Sequence, residues 1–359
     1  MQFSMTITTP SFPSLPPFHH STSHPPSYKH PPITILQNPT KPHDNSIKSL
    51  KNSGFLSAIG NAIEEQEYRK ARAEVIRKGT GLEGYTIEGL SIGGHETCVI
   101  VPELKCAFDI GRCPARAVAM NFLFITHAHL DHIGGLPMYV ATRGLYSLTP
   151  PTVFVPPAIK DDVENLMELH RKMGMVELNL DLVALDVGET YELRNDLVVR
   201  PFKTHHVIPS QGYVVYSVRK KLKKQYEHLK GREIEKKKKS GVEITDIILS
   251  PEVAFTGDTT SDFLLDPRSS DALRAKVLIT EATFLDDKCN IEHAREHGHM
   301  HIDEIMEHAK WIRNKSILLT HFSSRYHIEE IRQAVAKLQS KVSGKVVPLT
   351  EGFRSMYTS

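Results

Sequence analysis

A length of 359 residues with 40% hydrophobic content suffices for one large core or for two domains, and a net charge of +2 does not by itself indicate a polyanionic partner. No apolar run reaches the ~18 residues that a membrane-spanning helix needs, which predicts a soluble protein with no membrane partner. The four cysteines form no C-x-x-C pair, which is typical of free thiols in a reducing compartment and argues against a disulfide framework.

The N-terminal segment differs in composition from the rest of the chain. Residues 1–53 are rich in Ser, Thr, Pro, His and Lys, contain no Arg, and have Asp44 as their only acid. Such a segment buries too little apolar surface to fold alone, and its hydroxyl-rich, acid-poor composition is typical of organelle transit peptides. The absence of Arg favours a plastid over a mitochondrion, and a merely disordered tail is the alternative. We predict a disordered transit peptide over residues 1–60 and a folded domain over 61–359, opening with a helix at 61–78.

Short strands are predicted ahead of the central motif, and helices alternate with strands after it. Period-two alternation predicts strands at 85–92 and 97–102, with a further strand ending at 107–111. The apolar run Phe122-Leu123-Phe124-Ile125 predicts a buried strand. Helices are predicted at 138–145 and 158–172, and strands at 150–155 and within 175–200. This mixture favours a layered α/β domain.

The central motif follows the buried strand and reads Thr126-His127-Ala128-His129-Leu130-Asp131-His132. We interpret it as a loop at the carboxyl end of that strand. Imidazole and carboxylate are ligands suited to zinc, and three imidazoles and one carboxylate in six residues exceed what packing requires. The spacing of His127 and His129 lets two rings converge on one ion, and Asp131 with His132 can face a second.

Other candidate ligands occur at the ends of later predicted strands. Spacing alone leaves the choice between His205 and His206 open. Strands at 253–258, 276–283 and 316–321 carry Asp258, Glu281 and His321 near their ends, and helices are predicted at 303–311 and 328–340. Between them stand His293, His297, His299 and His301, and spacing does not select a functional one. Together with the central motif, His206 or His205, Asp258 and His321 form a set that suits two divalent ions ~3.5–4 Å apart, which would clamp the attacking and leaving oxygens of a hydrolysis. Phosphodiesters, thioesters and lactams all remain open as substrates.

The segment at 219–239 is strongly basic. It contains Lys220, Lys221, Lys223, Lys224, Lys230, Arg232 and the run Lys236, Lys237, Lys238 and Lys239. A solvated pair of surface helices, a basic arm on nucleic-acid phosphates and a nuclear-import signal are three interpretations.

With these residues in view, the central motif resembles the metallo-β-lactamase superfamily. Further stretches are similar to ribonuclease Z (tRNase Z), the tRNA 3′-end endonuclease family, in its short plant form of chloroplast type. They are His206-Val207-Ile208-Pro209-Ser210-Gln211-Gly212-Tyr213, Phe255-Thr256-Gly257-Asp258-Thr259, Glu281-Ala282-Thr283-Phe284, Gly298-His299 and Thr320-His321-Phe322-Ser323-Ser324-Arg325-Tyr326. The resemblance covers about 79–350 and implies the α/β fold of this superfamily, an αβ/βα four-layer sandwich, usually as a homodimer.

The resemblance also implies a ligand set and a reaction. Two Zn²⁺ ions per subunit are expected, with Mn²⁺, Mg²⁺ or Ca²⁺ as alternatives. One ion would be held by His127, His129 and His206, the other by Asp131, His132 and His321, with Asp258 bridging both. Asp131 would help to activate the attacking water, and the pair Glu281 and His299 would support proton donation to the leaving 3′ oxygen. The substrate would be precursor tRNA, cut to a tRNA 3′-hydroxyl and a 5′-phosphorylated trailer.

The chain departs from the family pattern at several points. Thr280 replaces the usual His before Glu-Ala-Thr, Met300-His301 replaces the frequent Ser-Thr, and 82–90 lacks the Pro-x-Lys-x-Arg-Asn loop of bacterial members. The Gly-Pro-rich arm that grips tRNA in many members is also absent. We therefore predict a basic insertion at about 219–245 of the nuclease domain, with Lys236, Lys237, Lys238, Lys239 and Arg325 as RNA contacts.

The leading interpretation is a precursor-tRNA 3′-endonuclease of the chloroplast, with the mitochondrion or nucleus as alternative locations. A small-molecule thioester or ester hydrolase of the same fold is the alternative enzyme. A metal-binding RNA partner without catalysis is the third possibility. The Ser-Ser-Arg-Tyr stretch and the basic segment disfavour the small-molecule hydrolase. The complete ligand set and the pair Glu281 and His299 disfavour the non-catalytic partner.

Overall fold

Two mixed β-sheets form the centre of the computed structural model, which describes residues 79–356. The predicted transit peptide and the predicted helix at 61–78 lie outside these residues. The strands of the first half are β1 (Thr80–Leu82), β2 (Tyr85–Gly93), β3 (Glu96–Val101), β4 (Cys106–Phe108), β5 (Phe122–Phe124), β6 (Thr152–Val155) and β7 (Asp181–Ala184). They pair in this order and form the first sheet.

The second sheet is built from the later strands. They are β8 (Tyr191–Arg194), β9 (Leu197–Lys203), β10 (Gln211–Leu222), β11 (Thr245–Phe255), β12 (Val277–Glu281), β13 (Ser316–Thr320) and β15 (Lys345–Pro348), with β14 (Phe322–Ser323) between the last two along the chain. The second sheet has the order β15-β13-β12-β11-β10-β9-β8, whereas β14 crosses over to pair with β2 of the first. From β11 to β15 the pairing is parallel, so the carboxyl ends of these strands meet at one edge.

Seven α-helices accompany these sheets in residues 79–356. They are α1 (Leu130–Ile133), α2 (Leu136–Leu145), α3 (Lys160–Gly174), α4 (Gly231–Lys239), α5 (Ile291–Glu296), α6 (Ile302–Glu307) and α7 (Ile328–Gln339). No helix of this part of the chain has the length and apolar character needed to cross a membrane. All four cysteines are free thiols, as predicted.

Alternation along the strands produces three layers of core. Phe124 of β5 and Phe255 of β11 belong to the central cluster, to which both sheets contribute residues. Their neighbours point the other way, because successive strand residues lie on opposite faces. Leu123 and Ile125 pack against α2 and α3, and Ala254 packs in the cluster that holds α6 and α7. The predicted αβ/βα four-layer sandwich is thereby confirmed.

Two local predictions were wrong in detail. The segment 126–132 is not a loop throughout, because α1 begins at Leu130 and holds Asp131 and His132. The basic segment is not a pair of surface helices. Strand β10 continues to Leu222 and β11 starts at Thr245, and the two pair as a long antiparallel ribbon. The α-helix between them is α4. Pairing along the long ribbon overrides the helical charge pattern near Lys220.

Candidate metal centre

The candidate ligands lie at one edge of the sandwich, where strands of both sheets end. His127 and His129 follow β5, His206 follows β9, Asp258 follows β11 and His321 follows β13. Parallel strands present their carboxyl ends to the same edge, so side chains distant in sequence meet there. Gly257 permits this approach, because a Cβ at its φ of +62° would lie 2.5 Å from Thr126 Oγ1.

The first group consists of His127, His129, His206 and Asp258. One ligand atom of each lies within 4.8 Å of the others. His129 Nδ1 lies 3.1 Å from Nε2 of both His127 and His206. His205 is not a member; its backbone N–H donates to Thr259 Oγ1 at 3.0 Å.

The second group consists of Asp131, His132 and His321. Nε2 of His132 and Nε2 of His321 lie 3.3 Å apart. Asp131 Oδ2 lies 3.6 Å from the first and 3.5 Å from the second. Asp258 Oδ2 lies 3.3 Å and 3.4 Å from the same two nitrogens and 3.7 Å from His127 Nε2, so Asp258 joins both groups.

Hydrogen bonding within the protein leaves the second nitrogen of four rings for a ligand. Thr126 Oγ1 donates to Asp109 and so accepts from His127 Nδ1, and Thr283 Oγ1 donates to Glu281 and so accepts from His321 Nδ1. His132 Nδ1 donates to Asp109 Oδ2, and His206 Nδ1 donates to the Gly298 carbonyl; both distances are 2.8 Å. The four Nε2 atoms are therefore presented together at the edge of the sheets.

This donor set fits metal ions. Nitrogen ligands about 2.0–2.1 Å from a tetrahedral zinc ion lie roughly 3.3 Å apart, close to the spacings within both groups. Asp258 is buried, and its Oδ1 has no hydrogen-bond partner among residues 79–356. An unpartnered buried carboxylate oxygen is costly, and a cation would remove that cost.

Electrostatics prepares three of the imidazoles and the shared carboxylate for coordination. Burial lowers the pKa of His127, His129 and His206, which keeps these rings neutral near pH 7. Burial disfavours the charge on Asp258, but the imidazoles of His132 and His321 outweigh burial and hold its pKa well below the usual range.

Two residues that the sequence did not single out orient the ligands. Asp109 is fully buried and accepts from His132 Nδ1 at 2.8 Å and from the Thr126 N–H at 2.7 Å. Thr283 links His321 to Glu281. The sequence signal for Asp109 was an acid at the end of a buried strand, Ala107-Phe108-Asp109, where packing alone does not explain a carboxylate.

A carboxylate–imidazole pair lies beside the two groups. Buried Glu281 accepts hydrogen bonds from the Thr259 N–H at 2.6 Å, the Met300 N–H at 3.1 Å and His299 Nδ1 at 3.1 Å. Burial opposes the charged imidazolium, but Glu281 outweighs burial and raises the pKa of His299 to about 9. His299 therefore has the properties of a proton donor whose ring is held in place.

A small cavity of about 190 Å³ gives access to this pair. Its lining includes His299, His321, His297 and Arg325. The Arg325 guanidinium lies over the Phe284 ring, 5.4 Å from its centroid, and its Nε donates to Ser323 Oγ at 3.0 Å. Arg325 thus offers positive charge at the side of the cavity, where an anionic substrate would approach.

The remaining candidates fall into separate places. His301 is buried, and its Nδ1 accepts from the Asp303 N–H at the start of α6. His293 and His297 lie together on α5 and do not join the groups above. Lys236, Lys237, Lys238 and Lys239 form the last turns of α4, with Lys239 paired to Glu235 at 2.8 Å.

Comparisons with known proteins show which family the chain resembles. A family profile described as "Beta-lactamase superfamily domain" matches residues 111–322. The protein "tRNase Z TRZ2, chloroplastic" of Arabidopsis thaliana is 69% identical over 352 residues, covering 97% of this chain and 99% of the relative. "tRNase Z TRZ1" of the same plant is 61% identical over 277 residues, covering 77% of this chain and 99% of the relative. The crystal structure of the metallo-beta-lactamase fold protein YhfI from Bacillus subtilis is similar in fold, with a TM-score of 0.50 and 16% identity, covering 74% of this chain and 95% of that one.

Proposed function

We infer, because this chain belongs to the tRNase Z family of the β-lactamase superfamily, that it is a metal-dependent endoribonuclease that processes the 3′ ends of precursor tRNAs. The observation that carries the inference is the proximity of the two donor groups to the Glu281–His299 pair: the His299 ring lies 5.1 Å from that of His206 and 5.3 Å from that of His321, and His299 and His321 line one cavity. A small-molecule thioester or ester hydrolase of the same fold is not favoured, because the highly identical relatives are named as tRNA nucleases.

We assign two Zn²⁺ ions per subunit to the centre. The ligands would be His127, His129 and His206 for one ion and Asp131, His132 and His321 for the other, with Asp258 shared. The nitrogen spacings of 3.1–3.3 Å and the unpartnered oxygen of Asp258 support this assignment. When bound, the ions supply Lewis-acid polarisation of the phosphodiester and activation of a water molecule.

The surrounding side chains move and hold the protons of the reaction. Asp131 accepts a hydrogen bond from the attacking water. Burial opposes the charge on Asp131, but the imidazoles of His321 and His132 outweigh burial and lower the pKa of Asp131 to about 2, so this side chain remains a carboxylate. The water oxygen bonds to phosphorus while the bond from phosphorus to the 3′ oxygen breaks; one proton of the water stays on the new phosphate, and the other leaves to solvent, from which His299 is protonated again. His299 donates its proton to that 3′ oxygen, and Glu281 holds His299 Nδ1 throughout. The tRNA leaves with a 3′-hydroxyl, and the trailer keeps the phosphate on its 5′ end.

Cleavage of a 3′-extended precursor tRNA tests this function directly. The full chain is incubated with end-labelled precursor, with and without a chelator, and the product ends are mapped. We expect cleavage next to the discriminator nucleotide that chelator abolishes and added Zn²⁺ restores. Intact precursor in the presence of metal, together with turnover of a generic thioester, would instead support the small-molecule hydrolase.

The choice between two adjacent histidines gives a matched prediction. His206→Ala removes a ring whose Nε2 lies 3.1 Å from His129 Nδ1, so we expect loss of metal and at least about a 100-fold fall in kcat/KM. His205→Ala changes a ring outside both donor groups and should retain metal and most activity. Metal content, measured by mass spectrometry, and cleavage rates of the two variants decide which histidine is the ligand. If His205→Ala lost metal and activity while His206→Ala kept them, the ligand would be misassigned.

We propose that the lysines of α4 bind the phosphates of tRNA. Lys236, Lys238 and Lys239 are exposed, and Lys237 lies over the Tyr226 ring at 5.2 Å. The helix sits between β10 and β11, at 231–239 of the basic insertion. Because none of the four lysines is buried, and their one ion pair within residues 79–356, Lys239 with Glu235, lies at the surface, their ammonium groups are accessible to phosphates, and such binding releases counterions.

Neutralising this run tests the proposal. In the variant with Lys236, Lys237, Lys238 and Lys239 changed to Gln, we expect weaker precursor binding and a salt slope smaller by about 0.9 for each phosphate that the variant no longer neutralises. The control changes the exposed Lys310, Lys315, Lys337 and Lys345 to Gln, which alters net charge equally. Equal salt slopes for the two variants in filter binding would contradict an RNA role for α4.

We propose a homodimer formed through α2 and α3. Exposed apolar side chains cluster there and include Met138, Leu145, Met173 and Met175, the last 86% exposed. Met138 and Met173 line a groove of about 490 Å³ together with other residues of both helices. Apolar surface of this extent usually marks an interface.

Charge in that surface should separate the subunits. We expect the variant Met138→Lys/Met173→Lys to elute as a monomer in light-scattering chromatography while wild type is a dimer. Ile247→Lys/Leu265→Lys changes two exposed apolar residues elsewhere and should leave the mass unchanged. A dimer in the first variant would contradict the proposed surface.

We propose that residues 1–60 form a transit peptide for the chloroplast and that 61–359 form the nuclease domain. The acid-poor composition supports this, as does a match to the relative named chloroplastic over 97% of the chain. A fusion of residues 1–60 to a fluorescent protein should enter chloroplasts in leaf cells. Retention in the cytosol, or accumulation in mitochondria or the nucleus, would refute it.

A further inference from the structure

A third group of metal-type donors lies apart from the proposed two-ion centre. His293, Glu296 and His297 stand at the C-terminal end of α5, and one ligand atom of each lies within 4.8 Å of the others. We propose that this group is a separate binding site for a divalent cation, suited to zinc or a similar borderline ion. The site shares no ligand with the two groups assigned above.

The spacing of the group is that of a helical metal site. Residues four apart lie on one face of a helix, so the rings of His293 and His297 are neighbours. Their centroids lie 4.3 Å apart at an interplanar angle of 43°. Glu296 adds a carboxylate one residue before His297. Two imidazoles and one carboxylate are a known zinc ligand set that leaves a coordination position open.

Both rings are held before any ion binds. His297 Nδ1 donates to the His293 carbonyl at 2.8 Å, which leaves Nε2 of His297 for a ligand. The His293 ring packs edge-on against Phe284 with centroids 5.3 Å apart. Side chains that are already restrained lose less conformational entropy when an ion binds. These two rings should therefore bind an ion more tightly than two unrestrained surface histidines would.

The neighbouring charged groups have other partners. Arg295 lies on the same helix, but it pairs with Glu304 at 2.7 Å and Asp262 at 3.2 Å. Of the nearby histidines, His299 donates to Glu281 and His301 caps α6. The catalytic pair and the helix cap therefore use none of the three proposed donors.

The position gives the site access to the catalytic cavity. His297 lines the same 190 Å³ cavity as His299 and Arg325. Glu296 and His297 are exposed and His293 is half-buried, so the ion would exchange with solvent more readily than ions in the buried centre. An open coordination position at this edge is accessible to water or to a phosphate oxygen.

Metal content at controlled free Zn²⁺ tests the site in the full chain. Wild type, His293→Gln/His297→Gln, Glu296→Gln and the control His95→Gln/His228→Gln are dialysed against a series of buffered Zn²⁺ concentrations, and bound zinc is measured by mass spectrometry. The control changes two exposed histidines that belong to no donor group among residues 79–356. Comparing variants by difference makes the result independent of the number of ions in the catalytic centre.

We expect wild type and control to bind about one ion per subunit more than the double variant at high free zinc. Glu296→Gln should bind that ion at least roughly tenfold more weakly, while the tighter ions remain. Equal zinc content in wild type and double variant overturns the site. If the double variant also loses the tighter ions, Glu296→Gln decides: weakened binding supports the site, and unchanged binding overturns it.

Discussion

Asp258→Ala is expected to remove both metal binding and RNA cleavage. The Asp258 carboxylate lies 3.3–3.7 Å from Nε2 of His127, His132 and His321, so its loss opens both donor groups at once. It also removes the negative charge that compensates several buried imidazoles. We expect kcat/KM to fall at least about 10³-fold, equivalent to ~4 kcal/mol of transition-state stabilisation.

Glu252→Gln is the matched control for this variant. Glu252 is also a buried carboxylate, on β11 itself, but it bonds to Tyr85, Ser217 and Lys276 and belongs to neither group. We expect this variant to lower the unfolding temperature and keep its metal. If Asp258→Ala retained metal and activity in mass spectrometry and cleavage assays, the shared-carboxylate assignment would be wrong.

His299→Ala is expected to slow cleavage by about 10²–10⁴-fold, the usual contribution of a general acid, while metal content stays at the wild-type level. The reason is that His299 Nδ1 is engaged by Glu281 at 3.1 Å, and the ring lines the cavity beside both donor groups without belonging to the ligand set assigned to the two ions. Glu281→Gln should give a smaller loss, because the ring remains but is held less firmly.

The leaving group distinguishes proton donation from a structural role. A precursor with sulfur in place of the 3′ oxygen at the scissile bond loses a thiolate, which needs no proton. We expect His299→Ala to cleave this substrate at nearly the wild-type rate, whereas His206→Ala should remain slow on both substrates. An equal defect of His299→Ala on oxygen and sulfur substrates would exclude proton donation by His299. Loss of metal from His299→Ala would instead make it a ligand.

The pattern of strands and helices in the sequence indicated a layered α/β domain, and the resemblance implied its αβ/βα arrangement. Leu123 and Phe124 alternate between two clusters, as do Ala254 and Phe255, because period-two alternation is a local property of the chain. The spacing of His127, His129, Asp131 and His132 likewise lies within one short stretch of chain, so it identified half of a metal site without tertiary information. Asp258 and His321 were found by the same logic, as polar residues directly after buried strands.

Residue spacing did not decide which of several equivalent residues reach the centre; the resemblance implied His206 and His299, and the tertiary structure supplies the physical reason. His205 and His206 are neighbours, and the choice depends on the Gly298 carbonyl, 92 residues away from His206. The roles of Asp109 and Thr283 arise from contacts 23 and 38 residues away, with His132 and His321. Local spacing carries no information on such contacts. For the same reason it could not separate His299, which meets Glu281, from His293 and His297, which meet each other. The sequence determines which polar residues stand at the strand ends, whereas the packing of the two sheets determines which side chains and carbonyls they contact.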